Sequence, residues 1–174
     1  ITNLIVTNCQ FLNVSSTQDG GAILFNSPNY IATITRSTFE QTKSDTDGHS
    51  ICINQCKAET ITISSCKFID CGTKENTYAL RINAVMLDFI DNKVIFSDQS
   101  KSCGCLKLGQ ITNHKYNGNL FKNAHIDSDQ NSPGIDASTS SSSQNIELKN
   151  NVFDNLSGGN KGCCFYFNFS KTYS

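Results

Sequence analysis

Nine cysteines, three histidines and fifteen acidic side chains hold most of the chemical capacity of this 174-residue sequence. Their spacing limits what they can do. No C-x-x-C pair is present, so a cysteine-based zinc site lacks its usual frame. His114 and His125 have no partner at a metal-ligand spacing, and no cofactor or metal is expected. Asp127-Ser128-Asp129-Gln130-Asn131 begins like a calcium loop. Ser132 stands where that loop requires glycine and Ser138 where a bidentate glutamate should close it, so a polar turn is expected instead. An odd cysteine count leaves at least one thiol free or bonded to another chain. Cys52, Cys56, Cys71, Cys103, Cys105, Cys163 and Cys164 are the disulfide candidates, with Cys52, Cys105 and Cys164 pointing outward, whereas Cys9 and Cys66 read as buried thiols. Asn13-Val14-Ser15, Asn155-Leu156-Ser157 and Asn168-Phe169-Ser170 are glycosylation sequons, which makes Asn13, Asn155 and Asn168 candidate glycan sites. Sequons and cysteine richness together point to an oxidising setting, extracellular or at the cell surface.

The elements that position these groups follow from a repeat. A short motif ending in a large apolar residue recurs at Phe11, Phe39, Phe68, Val94, Phe121 and Phe153, with spacings of 28, 29, 26, 27 and 32. Seven residues before it lie Leu4, Ala32, Ile61, Leu87, His114 and Ile146; five before it lie Val6, Ile34, Ile63, Phe89, Tyr116 and Leu148. Twelve after it lie Ile23, Ile51, Leu80, Leu106, Ile135 and Phe165, and fourteen after it Phe25, Ile53, Ile82, Leu108, Ala137 and Phe167, once a two-residue insertion is allowed in the fifth unit. Of these thirty positions only His114 is polar, and the residues between them include Asp88, Lys67, Arg81 and Asp136. Alternation with period two is the strand signature, so each unit holds three short strands. Three strands per period of about 28 residues are satisfied when each unit is one coil of a solenoid, every strand pairing in parallel with its equivalent about 4.8 Å away. Between the first two strands runs the column Cys9, Ser37, Cys66, Asn92, Asn119, Asn151. Asparagine suits a tight bend because it bonds nearby backbone and tolerates the left-handed conformation, so Asn92, Asn119 and Asn151 are expected to form an internal ladder at that turn.

With Gly20-Gly21-Ala22-Ile23 and the elements Phe11-Leu12-Asn13, Phe121-Lys122-Asn123 and Phe153-Asp154-Asn155, the chain resembles the right-handed parallel β-helix families. It is similar in particular to the repeats of polymorphic outer-membrane-type proteins and to β-helix repeats of protist surface proteins. The fold implied is all-β, a right-handed parallel β-helix of about six coils. Pectate lyases and polygalacturonases share that fold. Gly48-His49-Ser50 and Arg81-Ile82-Asn83 are similar to the G-H-G and R-I-K elements of the second group. The register separates them, because His49 shares parity with inward Ile51 while Arg81 points outward.

The net charge of −1 leaves no electrostatic footprint for nucleic acid or an anionic membrane, and no apolar run is long enough to span a bilayer. Ile1-Thr2-Asn3-Leu4 resembles neither an initiator methionine nor a signal peptide, so residues 1–174 read as a single β-helix segment of a longer chain. Ser138-Thr139-Ser140-Ser141-Ser142-Ser143 reads as a flexible polar loop. The end coils carry no polar cap, which solenoids need, so either flanking sequence or neighbouring subunits are expected to cover them. These readings converge on a non-enzymatic structural or adhesive surface solenoid, a glycosylated filament subunit that self-associates end to end. The alternative is a carbohydrate-active enzyme of the pectate lyase or polygalacturonase type. No residue is nominated as catalytic.

Overall fold

The computed structural model describes residues 3–26, 31–72, 75–98, 103–109, 112–127, 129–139 and 145–169, with the side chains of 55–59, 138–139 and 168–169 left aside. Among them there is no helix, and therefore none able to cross a membrane. The chain winds into a right-handed parallel β-helix of six rungs with three sheet faces. The first face carries Asn3–Thr7, Ile31–Thr35, Asn113–Asn117, Asn145–Lys149 and the second halves of Ile51–Ser64 and Thr77–Ile90. The second carries Gln10–Leu12, Thr38–Glu40, Lys67–Ile69, Lys93–Ile95, Leu120–Lys122 and Val152–Asp154. The third carries Ile23–Asn26, Cys103–Leu108, Ile135–Thr139, Phe165–Phe169 and the first halves of the two long strands.

Register follows the apolar columns at every step. Leu4 pairs with Ala32, Ala32 with Ile61, Leu87 with His114 and His114 with Ile146. Phe11 pairs with Phe39 and Phe121 with Phe153, while Ile23 pairs with Ile51 and Leu106 with Ile135. Stacking like on like brings aromatic rings face to face. Phe11 and Phe39 lie 4.7 Å apart, Phe39 and Phe68 4.9 Å, and Phe121 and Phe153 5.1 Å. The buried side chains form one contiguous core from Phe25 to Ala137, with Leu4, Phe11, Phe153 and Phe167 packed on its two ends.

Two details depart from three short strands per coil. Ile51–Ser64 and Thr77–Ile90 each run 14 residues and turn the corner from third face to first without a break. Neither segment contains glycine or proline to stop it, and the corner is taken by register shifts on either side of Ala84. Extra two-residue strands also form, Ser15–Ser16 with Lys43–Ser44 and His125–Ile126 with Ser157–Gly158.

The bends are built differently from the expectation. The left-handed residue comes one position before the asparagine column: Asn8, Arg36, Ser65, Asp91, Gly118 and Asn150 all have φ between 50° and 68°. A second left-handed column, Asn13, Gln41, Asp70, Asn123 and Asn155, closes the far end of the second face. The asparagines therefore do not make the turn by their own backbone. They hold it from inside, as the next subsection describes.

Candidate functional site

The internal ladder is continuous through all six rungs. Asn119 Nδ2 donates to Phe89 O (2.7 Å) and to Asn151 Oδ1 (2.9 Å), while its Oδ1 accepts the Asn92 backbone N–H (2.9 Å). Asn92 repeats the pattern, donating to Ile63 O (2.8 Å) and accepting from Cys66 N (2.9 Å). In the earlier rungs smaller groups serve. Ser37 Oγ accepts from Cys9 N and donates to Thr35 O, and the Cys66 thiol reaches Ile34 O and Ser64 O. Each buried backbone group at the bend thus has a partner, which is what makes a polar column tolerable in an apolar core.

His49 points inward, as its register implies, and is fully buried. Its Nδ1 accepts the Ser44 N–H (2.9 Å), which fixes the tautomer and leaves Nε2–H to donate to Thr77 Oγ1 (2.6 Å). Arg81 lies on the opposite side of the wall, paired with Asp19 (3.5 Å). The structure does not bring His49 and Arg81 together. His114 is likewise buried. Its Nε2 donates to Ala84 O and its Nδ1 accepts from the Tyr116 hydroxyl, both at 2.9 Å, and burial holds its pKa down at about 4.

The outer side of the third face is where charged side chains gather. Asp19 and Asp47 sit at equivalent turn positions one rung apart, and each does double duty. Asp47 Oδ1 accepts the backbone N–H of Gly48 and of Tyr78, while its Oδ2 faces Lys107 at 3.9 Å. Asp19 accepts from the Thr46 hydroxyl and pairs with Arg81. Lys107 also lies 5.2 Å over the Tyr78 ring, a cation–π contact. The Tyr78 hydroxyl crosses two rungs to donate to buried Asp136 (3.0 Å), which Asn131 Nδ2 also contacts at 3.1 Å. Beside Asp19 opens a shallow groove of about 330 Å³ lined by Gln18, Leu24, Asn26, Thr46 and Asn54. By type Asp19 and Asp47 are turn residues, each before a glycine, and the sequence signal for their pairing is the outward pair Arg81 and Lys107, which need carboxylates within reach.

The cysteines differ in part from the faces their register suggests. None of the eight cysteines described, Cys9, Cys52, Cys66, Cys71, Cys103, Cys105, Cys163 and Cys164, is disulfide-bonded. Cys52 and Cys105 stand at outward positions yet are fully buried. The turn at Gly48 folds over the outer face so closely that a Cβ there would lie 3.0 Å from Cys52 Cβ, and Pro133 O caps the Cys105 N–H. Burial, then the nearby Asp19 carboxylate, pushes the Cys52 thiol up to about 12. Cys71, just past the turn at Asp70, donates to Phe39 O (3.3 Å), and Cys103, at the start of its strand, donates to Cys71 O (3.5 Å); both are buried. Cys9, expected buried, is exposed because its rung is the first. Cys163 is exposed and Cys164 half-buried, and the Cys56 side chain lies outside the described residues.

Asn13 and Asn155 occupy exposed left-handed turn positions, and Asn155 Nδ2 donates to Asn123 Oδ1 (2.9 Å). Asn168 lies in a strand, its side chain outside the described residues. The Asp127 turn is held to Asn76 by reciprocal bonds of 3.0 Å. Among the described residues no three His, Cys, Asp or Glu side chains are placed to hold a metal ion. No protein-family model, curated protein or solved structure matches this chain.

Proposed function

We propose that this chain is a shaft segment of a non-enzymatic structural or adhesive protein at the cell surface, carrying glycans on its turn asparagines. One observation carries this reading: apolar columns stack in register through all six rungs, with a small polar column at the bend that is asparagine in the last three. Polar groups that could do chemistry, His49 and His114 among them, are spent inside the wall holding one rung to the next. The motif resemblance to polymorphic outer-membrane-type and protist surface repeats points the same way. Exposed Asn13 supports an extracellular setting better than the cysteines do, since the buried thiols take hydrogen bonds in place of disulfides. The test is expression through a eukaryotic secretory pathway with antibody labelling of intact cells. Surface staining, with a mass loss at Asn13 or Asn155 on enzymatic deglycosylation, is the expected outcome. Unstained cells and an unmodified chain would overturn it.

A polysaccharide-active enzyme is the second reading, favoured by the groove beside Asp19 and Arg81. Both side chains are paired with one another, and Asp47 is committed to backbone N–H groups, so this reading ranks below the first. Release of unsaturated or reducing ends from pectin or alginate, abolished by Asp19→Asn, would establish it.

A further inference from the structure

Each of the three histidines lies beside a hydroxyl, and in one pair alone is that hydroxyl both reachable from solvent and faced by an imidazole lone pair. His49 Nε2 donates to Thr77 Oγ1, so no lone pair points at that oxygen. His114 Nδ1 does accept from Tyr116, but both side chains are fully buried. His125 differs. Its Nδ1 lies 2.9 Å from Ser157 Oγ and its Nε2 3.9 Å from Asp127 Oδ1, with the His125 and Asp127 side chains 34% and 48% exposed. A carboxylate only accepts, so the ring proton belongs on Nε2 and Nδ1 accepts from the Ser157 hydroxyl.

The fold sets this arrangement from within the chain. His125 and Ser157 each stand four residues past the phenylalanine of their rung, and His125–Ile126 pairs in register with Ser157–Gly158. Ala124 and Leu156 before them pack on the core, so both point outward at the corner between the second and third faces. Gly158 has a φ of 85°, and a Cβ there would collide with Ile126 O, so only glycine allows the approach that brings Ser157 against His125. Asn76 fixes Asp127: its Nδ2 donates to Asp127 Oδ2 and its Oδ1 accepts the Asp127 N–H, both at 3.0 Å. None of these contacts depends on where the chain starts or stops.

We propose that Ser157 is a base-activated nucleophile that takes an acyl group from a carboxylic ester, with His125 as its general base and Asp127 as a positioning residue. Oγ attacks the ester carbonyl carbon while its proton passes to His125 Nδ1, and the carbonyl π pair moves onto oxygen. That pair then returns, the bond to the leaving oxygen breaks, and the departing alcohol takes the proton back from Nδ1. Asp127 favours the imidazolium formed in between. The donor class is an activated ester, whose good leaving group asks little of the oxyanion that must be stabilised. Such a capture happens once per chain. It goes beyond the structural reading by giving an adhesive shaft a covalent hold on an ester-bearing partner.

The test uses the chain produced without glycosylation and treated with p-nitrophenyl acetate, then with neutral hydroxylamine to strip acylated thiols, before peptide mass spectrometry. Ser15 is the internal reference, an exposed serine at the equivalent position of the first rung with Lys43 as its neighbour in place of histidine. Ser157 should be acetylated about a hundredfold faster than Ser15, and His125→Gln, whose amide can still accept from the hydroxyl, should bring it down to the Ser15 rate. Asp127→Asn keeps the bonds to Asn76 and loses the charge, and should slow the reaction about fivefold. Circular dichroism checks that both variants fold. Where His125→Gln does not, Ser157 against Ser15 in the unaltered chain decides alone. Ser157 reacting at the Ser15 rate, or as fast without His125, would overturn the proposal. Neither outcome bears on surface labelling, so the structural reading is tested separately.

Discussion

His114 is the polar exception among the inward columns, and it sits there neutral, between Ala84 O and the Tyr116 hydroxyl. Its folded pKa of about 4 lies below the unfolded value near 6.5, so the unfolded chain binds the proton more readily. The contribution is complete above pH 6.5, is lost as pH falls toward 4, and amounts to about 3 kcal/mol. Denaturant melts between pH 7 and 4 should show that slope, and His114→Gln should flatten it. The Asn119 side chain carries four ladder bonds, three of them buried, and Asn119→Ala orphans their partners at a cost of about 3 kcal/mol in the same melts. Arg36 and Ser65 hold left-handed backbone without the tolerance of asparagine or glycine. Arg36→Gly should raise stability by about 0.5–1 kcal/mol, a gain in melting temperature that would distinguish it from the usual loss on substitution.

At the scale of the strand, the apolar columns were fully legible in sequence. A parallel stack needs only that equivalent residues be interchangeable, and Leu4 through Ile146 or Phe11 through Phe153 satisfy that. What period-two alternation cannot foresee is a turn folding back over the outer face, which is why Cys52 and Cys105 are buried at outward positions. Nor does alternation reveal reach across rungs. Tyr78 extends over Gly104 to Asp136, and a Cβ at Gly104 would lie 2.5 Å from the Tyr78 ring. Gly104→Ala should therefore cost about 1–3 kcal/mol by overpacking, and Tyr78→Phe in the same chain, which keeps the ring, should not relieve it. The candidate groove was illegible for a related reason: Asp19 and Asp47 are Asx-turn residues by type, and only the fold sets Arg81 and Lys107 beside them.

Across the whole molecule, each rung contacts chiefly its neighbours, the reach of Tyr78 to Asp136 being two rungs, so stability is close to a sum of rung terms and nearest-neighbour terms. The interior rungs have two neighbours and the first and last have one. Amide hydrogen exchange in this chain should accordingly be slowest at Ile63, Phe68 and Phe89 and faster at Val6 and Leu148. Protection that is uniform from Val6 to Leu148 in the isolated chain would contradict this.

The hydrogen bonds between rungs point along the solenoid axis. A pull along that axis loads the outermost bonds one after another, whereas a sideways load is shared by all three faces. A tethered shaft of this kind is expected to give way rung by rung. Each release pays out roughly 28 residues, about 95 Å of chain at full extension, in place of a 4.8 Å step. Such a shaft resists bending at rest and under tension becomes an extensible leash, lengthening about twentyfold per yielded rung.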